Sequence, residues 1–209
     1  MSIKVGIVDY GAGNLFSVDN AIKGIARNRF ISQDPDKLMH ADYIIFPGVG
    51  SFSDSIKSMR NFGLDEFLKE YVASGKPVLS ICLGMQMLMT EGSEGGSNKG
   101  IGLVEGCVQK LVHSKNSRIP HMGWNNIYGS DMKDILILNS VKPQSSFYFV
   151  HSYHVVPTED VKKIYTDFYG IDIVAGFQKD NLSAIQFHPE KSQRIGIQLL
   201  KNFLTINND

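Results

Sequence analysis

The chain has 209 residues, 43% of them hydrophobic and 20% charged, which is enough for one well-buried core. Lys plus Arg and Asp plus Glu each number 21, so the formal net charge is zero with His neutral, and bulk electrostatics draw the chain toward neither nucleic acid nor an anionic membrane. No run of about 18 apolar residues is present to suggest a transmembrane helix, and two cysteines, Cys82 and Cys107, make no disulfide framework, so a reducing cytoplasm is expected.

Residues 3–8 form a mostly apolar run ending in Asp9, the pattern of a buried parallel strand that starts directly, without a signal-peptide layout. Gly11-Ala12-Gly13-Asn14 is a turn. Val18, Ala21, Ile22 and Ile25 have helical spacing within residues 17–26. Residues 43–46 give a second buried strand, stopped by Pro47-Gly48-Val49-Gly50. Residues 56–59 and 64–72 read as helices, and 78–81 as a third strand. This alternation of strand and helix argues for an α/β fold: a parallel sheet covered on both faces. Residues 91–100, rich in Gly, Ser and Glu, read as an exposed loop. Short strands follow near 108–112, 124–128, 147–150, 164–169, 173–177 and 182–187. Their links are too short for helical crossovers, so several should be antiparallel. Ile195, Leu199, Leu200 and Phe203 mark a C-terminal amphipathic helix. No repeat or Pro/Ser-rich linker divides the chain, and a single domain over residues 1–209 is expected.

The chemistry concentrates at Ser80-Ile81-Cys82-Leu83-Gly84. A short strand, a sharp turn between small residues and a helix put a thiol at the apex of a nucleophile elbow. A sulfur there sits at a helix N-terminus, which favours the thiolate. Far downstream, Gln186-Phe187-His188-Pro189-Glu190 offers a base with a carboxylate two positions on. Each motif has a plainer reading: a buried thiol, a strand-end histidine, a surface carboxylate. Their co-occurrence favours a Cys82, His188, Glu190 triad. The glycine-rich turn at 47–50 can present backbone N–H groups to an oxyanion. Gly11-Ala12-Gly13 lacks the further glycine of a dinucleotide fingerprint, because position 16 is Phe16. His121, His151 and His154 have no Cys or carboxylate at ligand spacing, so they read as polar strand histidines and no metal is expected. Met85, Met87 and Met89 read as core filler on the helix below the elbow. Cys107 has no catalytic context.

These motifs, with Asp9-Tyr10-Gly11-Ala12-Gly13-Asn14-Leu15, Pro47-Gly48-Val49-Gly50-Ser51-Phe52, Cys82-Leu83-Gly84-Met85-Gln86, Pro120-His121-Met122-Gly123-Trp124-Asn125, Tyr148-Phe149-Val150-His151-Ser152-Tyr153 and Gln186-Phe187-His188-Pro189-Glu190-Lys191-Ser192, span nearly the whole chain. In that order they resemble the class I (triad-type) glutamine amidotransferases, most of all the glutaminase subunits that serve histidine biosynthesis. The resemblance implies an open, mainly parallel sheet with helices on both faces and added antiparallel strands. It implies Cys82 as nucleophile, His188 as base and Glu190 as its orienter. It places Val49, Gly50 and Leu83 at the oxyanion site and Gln86, His151, Ser152 and Tyr153 around glutamine. It also implies no cofactor, and a heterodimer with a cyclase subunit of (β/α)8-barrel type that receives the ammonia. Asn14, Trp124, Tyr148 and Lys191, in loops or strand ends on the rim near Cys82, are the interface candidates. Two departures stand out: Ser80 replaces a usual glycine, which should strain the elbow slightly, and His154 follows Tyr153 where another aromatic is common. Three other readings stay open: a paralogue feeding another synthase such as surface-sugar amidination, a catalytically idle binding subunit, and a cysteine peptidase on a similar sheet.

Overall fold

The computed structural model describes residues 3–11, 14–112 and 118–206, so Ala12 and Gly13 of the expected first turn lie outside the described residues. The first half alternates strand and helix: β1 (Lys4–Val8), α1 (Leu15–Ile22), β2 (Asn28–Ser32), α2 (Pro35–Met39), β3 (Tyr43–Gly48), α3 (Phe52–Asn61), α4 (Leu64–Ala73), β4 (Val78–Cys82) and α5 (Leu83–Met87). The helix starts carry their own signals. Asp34 caps α2 by accepting from the Asp36 N–H at 3.0 Å, and Ser51 caps α3 by accepting from the Asp54 N–H at 3.4 Å. The second half is strand-rich: β5 (Met89–Gly92), β6 (Asn98–Lys99), β7 (Val104–Lys110), β8 (His121–Asn126), β9 (Ser146–His151), β10 (Tyr153–Pro157), β11 (Lys162–Phe168), β12 (Ile171–Lys179) and β13 (Leu182–Ile185), closed by α6 (Gln193–Phe203).

A seven-stranded sheet in the order β11-β12-β13-β4-β3-β1-β2 forms the centre. From β13 to β2 every neighbouring pair is parallel, while β11 and β12 extend the sheet antiparallel. Strands buried on both faces should be continuously apolar, and they are. Val5, Ile7, Tyr43, Ile45, Leu79 and Ile81 face a core completed by Val18 and Ile22 of α1 and Leu199, Leu200 and Phe203 of α6. Val8, Ile44, Phe46 and Val78 face the other core, with Phe52 and Ile56 of α3, Phe67 and Leu68 of α4, and Met85 and Met87 of α5. The chain winds from β1 to β2 on one side and returns through β3 and β4 on the other. The resulting crevice lies at the carboxyl ends of β1 and β3, where open α/β sheets bind ligands.

Three local expectations change. Residues 91–100 do not form a plain loop: β5 and β6 pair as an antiparallel hairpin within a second sheet, β10-β7-β5-β6. Met89 leaves the helix and opens β5, although like Met85 and Met87 it is wholly buried. The sheet also gains β2 at its edge. Its sequence, Asn28-Arg29-Phe30-Ile31-Ser32, is only partly buried, so its apolar signal is weak.

Two glycines let α5 seat against the end of β3. A Cβ on Gly48 would lie 2.5 Å from the Gly84 nitrogen and 2.9 Å from the Leu83 Cβ, and a Cβ on Gly84 would fall on the Phe46 carbonyl oxygen. Gly84→Ala is expected to destabilise the protein by at least about 2 kcal/mol, because backbone on both sides cannot yield. Chemical denaturation of the purified variant measures this.

Candidate active site

The strand order brings four carboxyl ends together: Tyr10 after β1, Gly48 of β3, Cys82 of β4 and Gln186 after β13. In register Gly48 stands beside Cys82, and Ile81 stands beside Ile185. Cys82 takes φ 54° and ψ −111°, a backbone state that a side chain rarely adopts. The strain therefore sits on the cysteine and not on Ser80, which is an ordinary, fully buried strand residue. The helix after the sulfur is only five residues long, so its dipole lends the thiolate less than a long helix would.

His188 and Glu190 follow β13 in a tight turn. His188 donates through Nδ1 to Glu190 Oε1 at 2.7 Å, and both side chains are shut from solvent. The Asn14 amide donates to the same oxygen at 2.6 Å. Asn14 is held at φ 77°, in the left-handed region that asparagine tolerates. Ser192 braces the turn by donating to the His188 carbonyl at 2.6 Å and accepting from the Tyr148 N–H at 3.0 Å. Gly196 of α6 packs directly on the Pro189 carbonyl, where a Cβ would not fit. The remaining ring nitrogen, Nε2, is buried and has Cys82 as its neighbouring polar group. Burial pulls the His188 imidazole down, but the charge of the Cys82 sulfur and then Glu190 outweigh it, and the ring is pushed up to about 10.

A cavity of about 390 Å³ opens over this pair. Val49, Gly50, Leu83, Gln86, His151, Ser152 and Tyr153 all line it together with Cys82 and His188, and so does Lys191 at its rim. Gly50 has φ 107°, a state open to glycine, and has free space around its Cα. Tyr10 is buried beneath the turn, and its hydroxyl would lie 2.7 Å from a Cβ on Gly48. His151 offers no free nitrogen to the cavity. Its Nδ1 donates to the Tyr153 carbonyl at 2.8 Å, and its Nε2 accepts from His121 Nδ1 at 2.9 Å. Asn125 in turn donates to His121 Nε2 at 3.1 Å. Burial holds both rings neutral, His151 lowered to about 3 and His121 to about 4. Cross-strand register explains the pair, since His121 of β8 stands opposite His151 of β9. Among the described residues, no group of three or more His, Cys, Asp or Glu gathers to hold a metal ion.

The interface candidates divide. Trp124 is half exposed, packs edge-on against Tyr148 at 6.3 Å, and Lys191 Nζ stands 5.8 Å over the Tyr148 ring. Met122, two residues before Trp124 on the same face of β8, is also exposed and extends this apolar rim. Asn14 is spent on Glu190 instead. That bond joins positions 176 apart and leaves no mark in the local sequence. Gln186 opens the His188 motif without a role of its own there, yet its amide donates to the Cys82 sulfur at 3.5 Å. The parallel register of β13 on β4 is the sign that reveals it.

The charge coupling in this site is measurable. In Cys82→Ala, the His188 titration observed by NMR is expected to fall well below its wild-type midpoint, because the largest influence raising it is gone. The sign follows from linkage: a raised histidine contributes stability that is complete below its ordinary value near 6.5 and is lost as pH climbs through about 10.

Residues 11–206 match the family model "Glutamine amidotransferase class-I". The chain is 42% identical over 203 residues to the imidazole glycerol phosphate synthase subunit HisH 1 of Campylobacter jejuni strain RM1221, covering 97% of this chain and all of that one. It is 40% identical over 204 residues to the imidazole glycerol phosphate synthase subunit HisH of Acinetobacter baylyi, covering 98% of each. Among solved structures, PurLQS from Thermotoga maritima superposes with a TM-score of 0.77 at 19% identity over 99% of both chains. A glutamine amidotransferase from Thermotoga maritima superposes with a TM-score of 0.71 at 14% identity, covering 99% of this chain and 98% of that one. At those identities the two structures speak for the fold. With a family model matched along almost its entire length and two full-length relatives at 40% identity or more, the chain belongs to the class I glutamine amidotransferases.

Proposed function

We propose that this chain is the glutaminase subunit of an imidazole glycerol phosphate synthase. It hydrolyses glutamine to glutamate and passes the ammonia to a (β/α)8-barrel cyclase subunit with which it forms a heterodimer. One observation carries the chemistry: a strained cysteine shares a cavity with an imidazole whose far nitrogen is bonded to a buried carboxylate. The two HisH relatives support the choice of synthase.

The Cys82 thiolate attacks the carboxamide carbon of glutamine. The oxyanion is held by the Leu83 N–H and by a backbone N–H of the Val49-Gly50 turn. Glu190 keeps the proton on His188 Nδ1, which leaves Nε2 to serve the reacting atoms. From Nε2 a proton passes to the nitrogen as the C–N bond breaks, releasing ammonia and leaving a thioester on Cys82. The imidazole then takes a proton from water, which attacks the thioester and frees glutamate. Gln86 reaches the substrate through its side-chain oxygen, because its amide nitrogen already serves the Tyr153 carbonyl at 2.9 Å and Gln186 Oε1 at 3.0 Å. Ser152 and the Tyr153 side chain complete the glutamine pocket, and His151 shapes it without donating to it.

Free ammonia is largely protonated near neutral pH and is then a poor nucleophile, so a sheltered route to the partner is needed. The exposed face of the two-stranded β8–β9 ribbon, with Met122, Trp124 and Tyr148, and Lys191 beside it, offers the docking surface. The freedom at Gly50 suits a turn that completes the oxyanion site when the partner engages.

Cys82→Ala and Cys82→Ser are expected to abolish glutamine hydrolysis, followed as glutamate release, while circular dichroism and partner binding stay as in wild type. Wild-type turnover in Cys82→Ala removes the triad assignment. Trp124→Ala is expected to weaken the complex by roughly tenfold or more in titration calorimetry against the barrel partner, as loss of a central aromatic anchor does.

A further inference from the structure

The register that sets β13 beside β4 carries one residue past the last paired position, Ile81 with Ile185, so Gln186 arrives next to Cys82. Gln186 is completely buried, and its backbone N–H is tied to the Ala175 carbonyl at 2.9 Å. A buried amide beside a sulfur can present either its oxygen or its nitrogen. Presenting the oxygen would repel a thiolate, and presenting the nitrogen would hold it.

The surrounding bonds decide which end it is. The Tyr153 carbonyl can only accept a hydrogen bond, so the Gln86 group 2.9 Å from it must be the amide nitrogen. That nitrogen also stands 3.0 Å from Gln186, so the Gln186 atom facing it must be the oxygen. The nitrogen of Gln186 is thereby turned to Cys82 Sγ, at 3.5 Å. His151 donates to the same Tyr153 carbonyl, so both of that oxygen's lone pairs are used and its acceptor role is fixed. The direction of every bond in the chain follows from one main-chain carbonyl.

We propose that Gln186 is a fourth catalytic side chain, the N–H donor that holds the Cys82 thiolate in the elbow, with its polarity locked by Gln86 against the Tyr153 carbonyl. The proposal rests on the glutaminase reading of Cys82. It adds to the triad a neutral donor that favours the sulfur anion without taking a proton from it. His188 is then free to exchange its proton with substrate and water while the sulfur keeps a partner.

The test uses the full chain with its barrel partner, in a Cys107→Ser background so that Cys82 is this chain's one thiol, and alkylation is read on this chain by mass. Gln186→Met preserves length and bulk and removes the donor. Gln186→Asn keeps an amide but withdraws it by one methylene. The rate of alkylation by iodoacetamide is measured across pH, alongside steady-state glutamine hydrolysis. For either variant that folds, the midpoint of the alkylation profile is expected to move up by about one pH unit. The kcat is expected to fall about tenfold with KM within about twofold, as for loss of one hydrogen bond to a charged group. A profile and a kcat superimposable on the parent overturn the proposal. A purely structural role predicts that superimposable result in any variant whose circular dichroism stays as in the parent, and in an unfolded variant a thiol that alkylates like a free cysteine. Cys82→Ser, run in the same background, separates the two layers. If it still hydrolyses glutamine, Cys82 is not the nucleophile and the role of Gln186 falls with it; if it is dead while Gln186→Met is unchanged, only the role of Gln186 falls.

Discussion

Cys82 is held at φ 54° because the chain around it has nowhere else to go. On one side β4 is hydrogen-bonded to β3 and on the other to β13. Ahead of it, α5 is pressed so closely onto the end of β3 that neither Gly48 nor Gly84 has room for a side chain. A backbone state of this kind persists only where the surroundings over-determine it. The cost of about 1–3 kcal/mol is offset by apolar packing on both faces of the sheet, and the result is a sulfur lifted out of the strand into the cavity.

Around that sulfur the site is built from partners that cannot exchange roles. Glu190 and Asn14 together occupy one carboxylate oxygen, and this sets which nitrogen of His188 carries the proton toward the interior. The neutral pair His121 and His151 is as firmly directed, from the Asn125 amide at one end to the Tyr153 carbonyl at the other. Burial keeps these two rings uncharged while the neighbouring His188 is driven the other way by the sulfur and Glu190. Three histidines within one small region thus divide between two charge states, burial deciding for His121 and His151 and neighbouring charge for His188.

Much of this is legible in the residues. The continuous apolar runs of β1, β3 and β4 and the Cys-Leu-Gly turn announce a parallel sheet and an elbow, because burial on both faces leaves a strand no polar positions. What stays hidden has physical reasons. The strand β2 is a half-exposed edge with Asn, Arg and Ser among its five residues, and β10 contains a histidine and ends in proline. The β5–β6 hairpin is cut from Gly, Ser and Glu, a composition that also suits a loop. Cys82, His188 and Glu190 carry chemistry in their type, and so they can be found. Asn14 and Gln186 act through placement alone, and amide side chains carry no such mark; only the pairing of distant strands makes them neighbours of Glu190 and Cys82. Ser80 shows the reverse, since its departure from glycine leaves the strain on the next residue but one.

The two-stranded β8–β9 ribbon has one more consequence. Its side chains alternate between two faces, so Met122, Trp124 and Tyr148 look outward while His121, Phe147, Phe149 and His151 look inward. A pleated ribbon is stiff across its thickness, and whatever presses on one side tilts the other. The outward face that carries Trp124 and the inward face that carries His151, which lines the cavity over Cys82, are thus two sides of one ribbon with no loop between them.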